Sequence, residues 1–542
     1  MKKLLALITA LSILYPVAAQ VTLTSSDLPV IIINTNGQEI LNDPKITADM
    51  GIINNGKGTR NNITDAYNEY SGKIGIEIRG QSSQSFPMKS YSIELWDDEG
   101  EGIDEPLFGL PEESDWVLYA PYTDKTLMRN FLAYTMSNSL DHWAAHCRFV
   151  EVVLNGSYAG VYVFMEKIKR DAGRVNIKKI SDKDITGDAV TGGYIFSIDK
   201  EADGWFSDYH PNNNPDAYTQ YSYVYPKLED IVPEQQQYIE SYVDSFENAL
   251  AGSNYQDNVT GFRKFAEENS FIDYLIVNEI SRNVDGYRLS SYFYKDRNSI
   301  NSKIIAGPVW DYDLAFRNAD YCNGSLNTGW AYSFNNTCPG DYWQVPFWWN
   351  RFMQDTAFKA HLLCRWKAVR QTVLSNERIL YLVDSVSNLV AEAQQRHFTQ
   401  WPILGQYVWP NAQPIPTSYA GEISTLKSWL TARLQWLDAN MPLTGACGEP
   451  PWPAGITGTI ELKISNPVIN FNTATIQSKI PQKIYVRVID MLGRIITASE
   501  IQAHTGTNSF PNTGSLNMLP AGIYFIHLFT DKGEKTVRKV MR

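Results

Sequence analysis

Apolar residues recur along this chain in two spacings, one typical of strands and one typical of helices. Short apolar runs over 28–34, 74–80 and 89–95 predict strands, since each is bounded by turn-forming residues. A longer apolar stretch over 149–166 is interrupted by Asn155-Gly156, and that dipeptide is the strongest short-range signal for a β-hairpin. These spacings predict at least one sheet.

Helical spacing appears later. Residues 127–140 have apolar positions three and four apart, with Thr123 or Asp124 as the expected N-cap. The remaining predicted elements are a helix over 271–283, a strand over 291–294 and a mainly helical part over about 350–430 that is clearest over 352–380. Because no internal repeat or low-complexity tract occurs between about 28 and 445, we predict one α+β unit for this body.

The first residues predict export. Lys2 and Lys3 precede an apolar run over 4–16, and Val17-Ala18-Ala19 places small residues directly before Gln20. We expect residues 1–19 to be a signal peptide that is cleaved near Ala19. The apolar run is too short to span a membrane, and we expect no transmembrane segment in the mature chain.

Composition narrows the choice of function. The formal net charge is −12, which argues against a nucleic-acid-binding protein because such proteins neutralise phosphates with basic residues. Aromatic residues make up 13% of the chain, and two loops over 329–332 and 343–349 are especially rich in them. These rings form either a flat binding face or a packed core. The chain has no G-x-S-x-G, H-E-x-x-H or P-loop motif.

Five cysteines are too few for a disulfide scaffold, but export permits disulfides. Cys322 and Cys338 bracket a loop rich in Asn, Gly and Tyr, and we expect them to pair. Cys147, Cys364 and Cys447 either supply one more bridge and one free thiol or stay unpaired. Their spacings match no zinc pattern.

The C-terminal part differs from the body. A run of Gly and Pro over 445–453 is a break that no helix or central strand would cross. We therefore predict a linker over 446–458 and a small β-sandwich over 459–542. Its expected strands lie at 483–489, 495–496, 522–528 and 534–541, the last two joined across a turn at 531–533.

This segment resembles the type A C-terminal sorting domain of the type IX (Por) secretion system. The residues that carry the resemblance are Ser465-Asn466-Pro467-Val468, Asp490-Met491-Leu492-Gly493-Arg494, Leu519-Pro520-Ala521-Gly522-Ile523-Tyr524 and the basic end over 535–542. The resemblance implies an Ig-like fold, the type IX machinery as a partner, and a secreted or outer-surface location. The alternative is an ordinary accessory β-sandwich.

Acidic residues cluster twice near the middle of the chain. Asp285 follows an apolar helix, and Asp311 and Asp313 form a D-x-D pair after Gly307-Pro308. Carboxylates suit Mg²⁺ or Mn²⁺ shared with a phosphate. Taken alone, however, such a pair more often caps a loop or forms a salt bridge.

The sequence around these carboxylates resembles that of the spore coat protein H (CotH) kinase family. The blocks that carry the resemblance run in order: Ile78-Arg79-Gly80-Gln81-Ser82-Ser83, Phe86-Pro87-Met88-Lys89-Ser90-Tyr91, Trp116-Val117-Leu118-Tyr119-Ala120-Pro121, Lys125-Thr126-Leu127-Met128-Arg129-Asn130, Gly160-Val161-Tyr162-Val163-Phe164-Met165-Glu166-Lys167-Ile168, Gly192-Gly193-Tyr194, Asn278-Glu279 to Tyr287, and Pro308-Val309-Trp310-Asp311-Tyr312-Asp313. The resemblance implies an atypical protein-kinase-like domain within 20–445. It also implies ATP with Mg²⁺ or Mn²⁺ as cofactors and an exported or envelope protein as substrate.

The resemblance also implies roles for single residues. Lys89 would contact nucleotide phosphates and pair with Glu166, and Arg79 would steady a phosphate or brace its own loop. Asp285 would accept or orient the proton of the Ser or Thr hydroxyl of the substrate. The metal would be held by Asp311, assisted by Asp313.

Three positions depart from the family pattern. Ser290-Ser291 stands where a kinase-like catalytic loop would offer Asn as a metal ligand, Arg317 follows Phe316 where Gly is usual, and Met88 replaces a common basic residue. These departures keep open a pseudokinase that serves as a surface adhesin or a glycan- or protein-binding module. A glycosidase built on a carboxylate pair is a third class, and no motif specifies it.

Overall fold

The computed structural model describes residues 21–200, 203–211, 214–445, 447, 460–463, 474–478, 481–490, 495–509, 511, 519, 523–530 and 535–541. The strands of these residues are β1 Ser25–Ser26, β2 Val30–Asn34, β3 Ile46–Ile53, β4 Asn61–Asn62, β5 Tyr70–Arg79, β6 Ser90–Trp96, β7 Asp115–Tyr119, β8 Cys147–Leu154, β9 Ser157–Glu166, β10 Tyr194–Ile198, β11 Tyr221–Tyr225, β12 Ser291–Lys295, β13 Ile304–Ala306, β14 Ile460–Lys463, β15 Thr475–Ser478, β16 Gln482–Asp490, β17 Ile495–Ala503, β18 Gly506–Ser509, β19 Ile523–Thr530 and β20 Lys535–Met541. The helices are α1 Arg129–Ser139, α2 Pro233–Ala251, α3 Glu268–Ser281, α4 Phe334–Thr337, α5 Phe347–Phe352, α6 Thr356–Arg370, α7 Asn376–Leu389, α8 Ala393–Gln400 and α9 Tyr419–Asn440.

The chain folds into two compact units rather than the single α+β unit expected. The first, which we call the barrel unit, comprises Met1–Ala120, Arg148–Phe164 and Val390–Leu404. The second unit comprises Pro121–Cys147, Met165–Leu389 and Gly405–Arg542. Each unit mixes helices with sheet, so the predicted α+β class is confirmed.

The barrel unit is built around a closed barrel in the order β2-β3-β5-β6-β7-β9-β8. Strand β2 closes the ring by pairing in parallel with β8, and its other partner, β3, is antiparallel. The predicted strands before residue 100 and the hairpin are confirmed, with Asn155 and Gly156 both at positive φ in the turn. β-branched residues such as Ile74, Ile76 and Ile93 are fully buried, because their stiff side chains pack well on a pleated sheet.

Helix α8 joins the barrel unit from far along the chain. His397 Nδ1 accepts a hydrogen bond from the Val161 amide at 3.1 Å, and Trp401 Nε1 donates to the Ala159 carbonyl at 2.9 Å. Gly160 between them has φ +120°, and a Cβ there would lie 3.0 Å from Trp401 Nε1. The close approach of helix and strand therefore needs glycine at this position.

The second unit contains a four-stranded sheet in the order β11-β10-β12-β13 and most of the helices. Its core is aromatic: Trp348 and Trp349 are fully buried. Their rings lie within 6.5 Å of the ring of Phe271 on α3. These two residues of the aromatic-rich segment 343–349 therefore pack in the core and do not form a flat binding face. Much of the aromatic surplus is explained by this core, since aromatic side chains bury more area than any others.

Two helix predictions needed correction. Helix α1 begins at Arg129 with Met128 as its N-cap, so the predicted N-cap at Thr123 or Asp124 is wrong. A residue at positive φ, Leu127, turns the chain between them, yet the Asp124 carboxylate still accepts from the Arg129 amide at 2.8 Å. The stretch 352–380 is helical but broken, because α6 ends at Arg370 and α7 begins at Asn376.

Disulfide pairing agrees with the sequence. Cys322 pairs with Cys338, and Cys364 pairs with Cys447, while Cys147 is a buried free thiol. The second bridge closes a sequence separation of 83 residues and ties the end of the body back to α6. In the chain-entropy view, a loop of that length gives the larger stabilisation of the two, about 4 kcal/mol or more.

The C-terminal segment contains two sheets, ordered β14-β15-β18 and β17-β16-β19-β20. Strands β19 and β20 pair antiparallel as predicted, with Phe525 opposite Lys539. Ile476 of the first sheet and Val486 of the second belong to one apolar cluster. The Ig-like topology stays a prediction.

Three sequence predictions fall mainly on residues outside those described. These are the signal peptide over 1–19, the turn over 531–533 and, apart from Cys447, the linker over 446–458. Within the described part of the chain, no helix has the length and apolar character needed to cross a membrane.

The buried carboxyl group of Glu247 on α2 predicts a pH dependence of stability. It accepts hydrogen bonds from Ser207 Oγ, Tyr221 OH and Trp348 Nε1 at 2.7–2.8 Å, and it is 1% exposed. Burial raises its pKa to about 7. Because the folded state favours the protonated group, its contribution to stability is complete below pH 4.5. That contribution is lost as pH rises through 7, about 3 kcal/mol in total.

Thermal unfolding of Glu247→Gln beside the parent chain from pH 5 to pH 8 tests this. We expect the Gln variant to gain stability relative to the parent as pH rises, since its amide has no buried charge. The amide oxygen can accept from Tyr221 and Trp348, and the amide nitrogen can donate to Ser207 Oγ. Glu234→Gln, at the exposed start of the same helix, should follow the parent at every pH. A constant difference between Glu247→Gln and the parent would contradict the assignment.

Candidate functional site

The loop that carries Asp285 follows α3 directly. Helix α3 ends at Ser281, and Arg282 adopts a left-handed conformation with φ 45° that turns the chain out of the helix. Arg288 Nη2 lies 2.7 Å from Asp285 Oδ1, and the Asp285 side chain is 24% exposed. Arg288 is itself buried, donates to the Trp343 carbonyl at 3.0 Å and lies over the Phe334 ring at 4.0 Å. A fixed guanidinium therefore sets the orientation of the Asp285 carboxylate.

Gly286 allows this loop to pack against α3. A Cβ at Gly286 would lie 2.4 Å from Asn278 Oδ1, so no larger residue fits without a shift. The same Asn278 oxygen accepts from Tyr312 OH at 2.9 Å, and Asn278 is fully buried. One amide on α3 thus contacts both acidic segments of the sequence.

The D-x-D segment lies in the loop after β13. Asp311 is exposed, has φ 61°, and its amide donates to Tyr134 OH at 3.2 Å. The next amide, that of Tyr312, donates to Asn130 Oδ1 at 2.6 Å. These contacts hold the backbone of the D-x-D segment against α1.

Asn283 connects the two acidic loops and was not singled out from the sequence. Its Oδ1 accepts from the Asp285 amide at 3.2 Å, and its Nδ2 lies 3.4 Å from the Asp311 carbonyl oxygen. Asn283 is 3% exposed. The available signal was an N-x-D spacing, which is typical of a side chain that bonds the backbone two residues on. Asp285 and Asp311 therefore lie in adjacent loops of the second unit.

The pKa of the Tyr321 hydroxyl depends on the charges around these loops. Burial raises the pKa of its hydroxyl well above the usual range, and the negative charges of Asp285, Asp313 and Asp341 raise it further. Arg288 opposes that shift. Three carboxylates thus act on one hydroxyl, which indicates that Asp285 and Asp313 share an electrostatic environment.

Glu166 is the last residue of β9 and is fully buried. Its Oε2 accepts from the His146 amide at 2.9 Å and lies 2.7 Å from His146 Nδ1. Arg174 Nε lies 3.4 Å from Oε1, and the Arg174 side chain is also buried. The carboxylate is therefore held by partners within the second unit, and its predicted pairing with Lys89 stays a prediction.

Lys89 and Arg79 belong to the barrel unit. Arg79 ends β5, and a 3₁₀ turn over Ser82–Ser85 follows it. Lys89 Nζ donates to the carbonyls of Gln84 and Phe86, both at 2.6 Å. Lys89 thus braces the turn between β5 and β6, and its predicted contact with nucleotide phosphates stays a prediction, as does that of Arg79.

Two departures from the family pattern have clear contacts. Ser290 Oγ donates to Asp199 Oδ2 at 3.2 Å, and burial raises the pKa of Asp199, which follows β10. Arg317 Nη2 donates to the Pro414 carbonyl at 2.9 Å. Sequence reasoning missed Asp199, a further carboxylate beside the segment that follows Asp285.

The carboxylates can be compared with the needs of a divalent cation. Within the described ranges, no group of three or more Asp, Glu, His or Cys side chains is placed to hold a metal. Mg²⁺ in phosphoryl-transfer sites commonly needs only one or two carboxylates and takes its other ligands from water and substrate phosphates. The oxygen donors of Asp311 and Asp313 suit such a shared ion, and they do not make a protein-only cage.

Comparison with known families gives two matches. Residues 76–437 match the model described as CotH kinase protein, and residues 466–542 match the model described as secretion system C-terminal sorting domain. No curated protein matches the chain. The first match spans all six predicted site residues, and the second spans the described strands β15 to β20.

Proposed function

The chain belongs to the CotH kinase protein family and ends in a type IX sorting domain, and from this premise we propose that it is an atypical protein kinase of the cell surface. Both resemblances seen in the sequence are confirmed, and the sorting domain indicates a secreted or surface protein. The proposed reaction transfers phosphate from ATP to Ser or Thr of exported or envelope proteins. The type IX machinery is the proposed partner for delivery.

The observation that carries this proposal is the link that Asn283 makes between the Asp285 loop and the D-x-D loop. Phosphoryl transfer asks a protein mainly to position the reactants and to neutralise charge. Asp285, held by Arg288, would orient the substrate hydroxyl and take its proton as the oxygen attacks phosphorus. Asp311 and Asp313 would hold the metal, and a bound divalent cation would supply charge neutralisation on the phosphates.

Residues of the barrel unit have a proposed part in nucleotide binding. Lys89 already donates to two carbonyls, so contact with a phosphate would require one of those bonds to be exchanged. Arg79 would then brace the turn at Gly80, or its guanidinium group would contact a phosphate with two parallel hydrogen bonds. We keep both residues as proposed nucleotide contacts.

A second candidate function is a silent surface-binding module on the same scaffold. The observation that favours it is the Ser290 hydroxyl, which stands in for an amide ligand and donates to Asp199. Such a protein would bind its partner in the absence of ATP and metal. The two candidates differ in two measurable properties, the metal-dependent binding of ATP and the transfer of its phosphate.

Labelled ATP, with Mn²⁺ or Mg²⁺, separates these candidates. We expect the purified chain to bind ATP in a metal-dependent way and to label itself or casein. Asp311→Asn should need at least about 10-fold more metal for the same activity, because a proposed ligand loses its charge and even the loss of an outer-shell partner costs about 10–100-fold. The matched control Asp320→Asn, an exposed Asp whose carboxylate accepts from Tyr407 OH, should behave as the parent. Absence of both ATP binding and labelling with either metal would contradict the kinase and leave the binding module.

A further inference from the structure

A small pocket in the second unit lies beside the candidate site and is not used by the proposed chemistry. The pocket is small and partly open to solvent. Residues from two sides line it: Arg282 and Asn283 after α3, and Trp330, Phe334 and Thr337 from the segment near the Cys322–Cys338 bridge.

Arg282 is the charged residue of this pocket. It is 7% exposed, and within the described residues its guanidinium makes no hydrogen bond or ion pair. Its Nε is buried without an acceptor. Burial lowers the pKa of Arg282, and the charge of Glu279 opposes this effect. Burial of an arginine in this way lowers the stability of the fold unless another group supplies a hydrogen-bond acceptor.

Glu279 has no capacity left for Arg282. Its two oxygens already accept from Tyr287 OH at 2.9 Å, from the Ala331 amide at 2.8 Å and from the Tyr332 amide at 2.9 Å. Arg433 Nη2 completes the set at 3.0 Å. Each bond has an ordinary hydrogen-bond length, and the carboxylate is 1% exposed.

The charge of one carboxylate, Glu279, therefore acts on two buried guanidinium groups, and of the two it is Arg433 that bonds to it. Arg433 is fully buried, and burial, aided by the charge of Arg282, lowers its pKa to about 10. The cluster of Arg282, Arg433 and Glu279 carries a surplus positive charge. A buried surplus charge is costly unless a counter-ion is present.

We propose that this pocket binds a phosphoryl group, with Arg282 as its charged ligand. The planar guanidinium fork matches two oxygens of a tetrahedral oxyanion, and the hydroxyl of Thr337, an exposed residue of the pocket lining, offers a further donor. The group belongs either to free inorganic phosphate or to a phosphorylated side chain. Arg282 directly precedes Asn283, so occupancy of the pocket would hold the residue that joins the Asp285 and Asp311 loops.

Thermal unfolding of the full chain tests the pocket without ATP or metal. In sodium phosphate we expect a higher Tm than in sodium chloride of equal ionic strength, and the increase should saturate. Arg282→Gln should lose this increase. In chloride its Tm should equal or exceed that of the parent, because the surplus buried charge is gone. Arg60→Gln, a surface arginine paired with Glu392, should keep the phosphate effect.

Two further arms sharpen the result. Lys89→Met should keep the phosphate effect, which separates this pocket from the proposed nucleotide contacts. Titration with inorganic phosphate beside a phosphoserine peptide identifies the source of the group, the tighter ligand being the better fit. If Arg282→Gln does not fold, Arg282→Lys replaces it, and we expect weaker binding because the fork is lost. The proposal fails if neither ligand raises the parent Tm above chloride, or if the Arg282 variants respond as the parent does.

Discussion

Replacing Glu279 by Ala is expected to lower the free energy of unfolding by about 3–5 kcal/mol, since removal of one partner leaves an uncompensated buried charge. The carboxylate is 1% exposed and accepts from Tyr287, two backbone amides and Arg433. Its loss would leave those donors without an acceptor and Arg433 without a counter-ion. Chemical denaturation of the purified variant measures the change.

The double variant Glu279→Leu with Arg433→Met provides a test of the cause. If the loss in the single variant comes from the orphaned charge of Arg433, the double variant should recover part of the stability. Glu234→Ala, at the exposed start of α2, should change the unfolding free energy by less than about 0.5 kcal/mol. A double variant that is less stable than Glu279→Ala would show that packing, and not charge, dominates this cluster.

Replacing Asp285 by Asn is expected to reduce phosphotransfer by about 100-fold or more while leaving the fold intact. A positioned acid or base contributes about 10²–10⁴-fold to a rate. The Asn oxygen can still accept from Arg288 at the place where Asp285 Oδ1 now lies 2.7 Å away, so the loop should keep its shape. The measurement is the initial rate of labelling with ATP and the better of the two metals.

Asp341→Asn is the matched control for this change. Asp341 is the other carboxylate beside Arg288, at 3.4 Å, and we give it no role in catalysis. Its variant should keep activity within a few-fold, and both variants should melt close to the parent. Full activity in Asp285→Asn would show that this carboxylate has no part in the mechanism. Equal losses of activity in both variants would show that the effect comes from a change in the orientation of Arg288.

The local predictions from sequence rest on short-range physics. The Asn155-Gly156 hairpin, the strand over 74–80 and the helix over 271–283 were found because side-chain period and turn chemistry are local properties. The N-cap of α1 was misplaced for a related reason. Asp124 is a residue type that often caps a helix. The chain turns at Leu127, which has a positive φ, before the helix begins, and no local sequence pattern predicts that turn.

The candidate site was predicted in part. Asp285, Asp311 and Asp313 were named from motifs, and the structure places their loops in contact through Asn283. The motifs said nothing of Arg288, which holds Asp285, or of Asp199 beside Ser290. Those partners come from segments that are remote in sequence or carry no recognisable spacing.

The sequence by itself determined the α+β class, the two families and the Cys322–Cys338 bridge, because each depends on composition, period or ordered motifs. Only the tertiary structure decided which buried charges meet. Glu279 faces an arginine on α9, more than a hundred residues along the chain, and Arg282 Nε has no acceptor among the residues that the structure describes. Such pairings follow from how helices and loops pack, and packing is a property of distant contacts that no stretch of sequence contains.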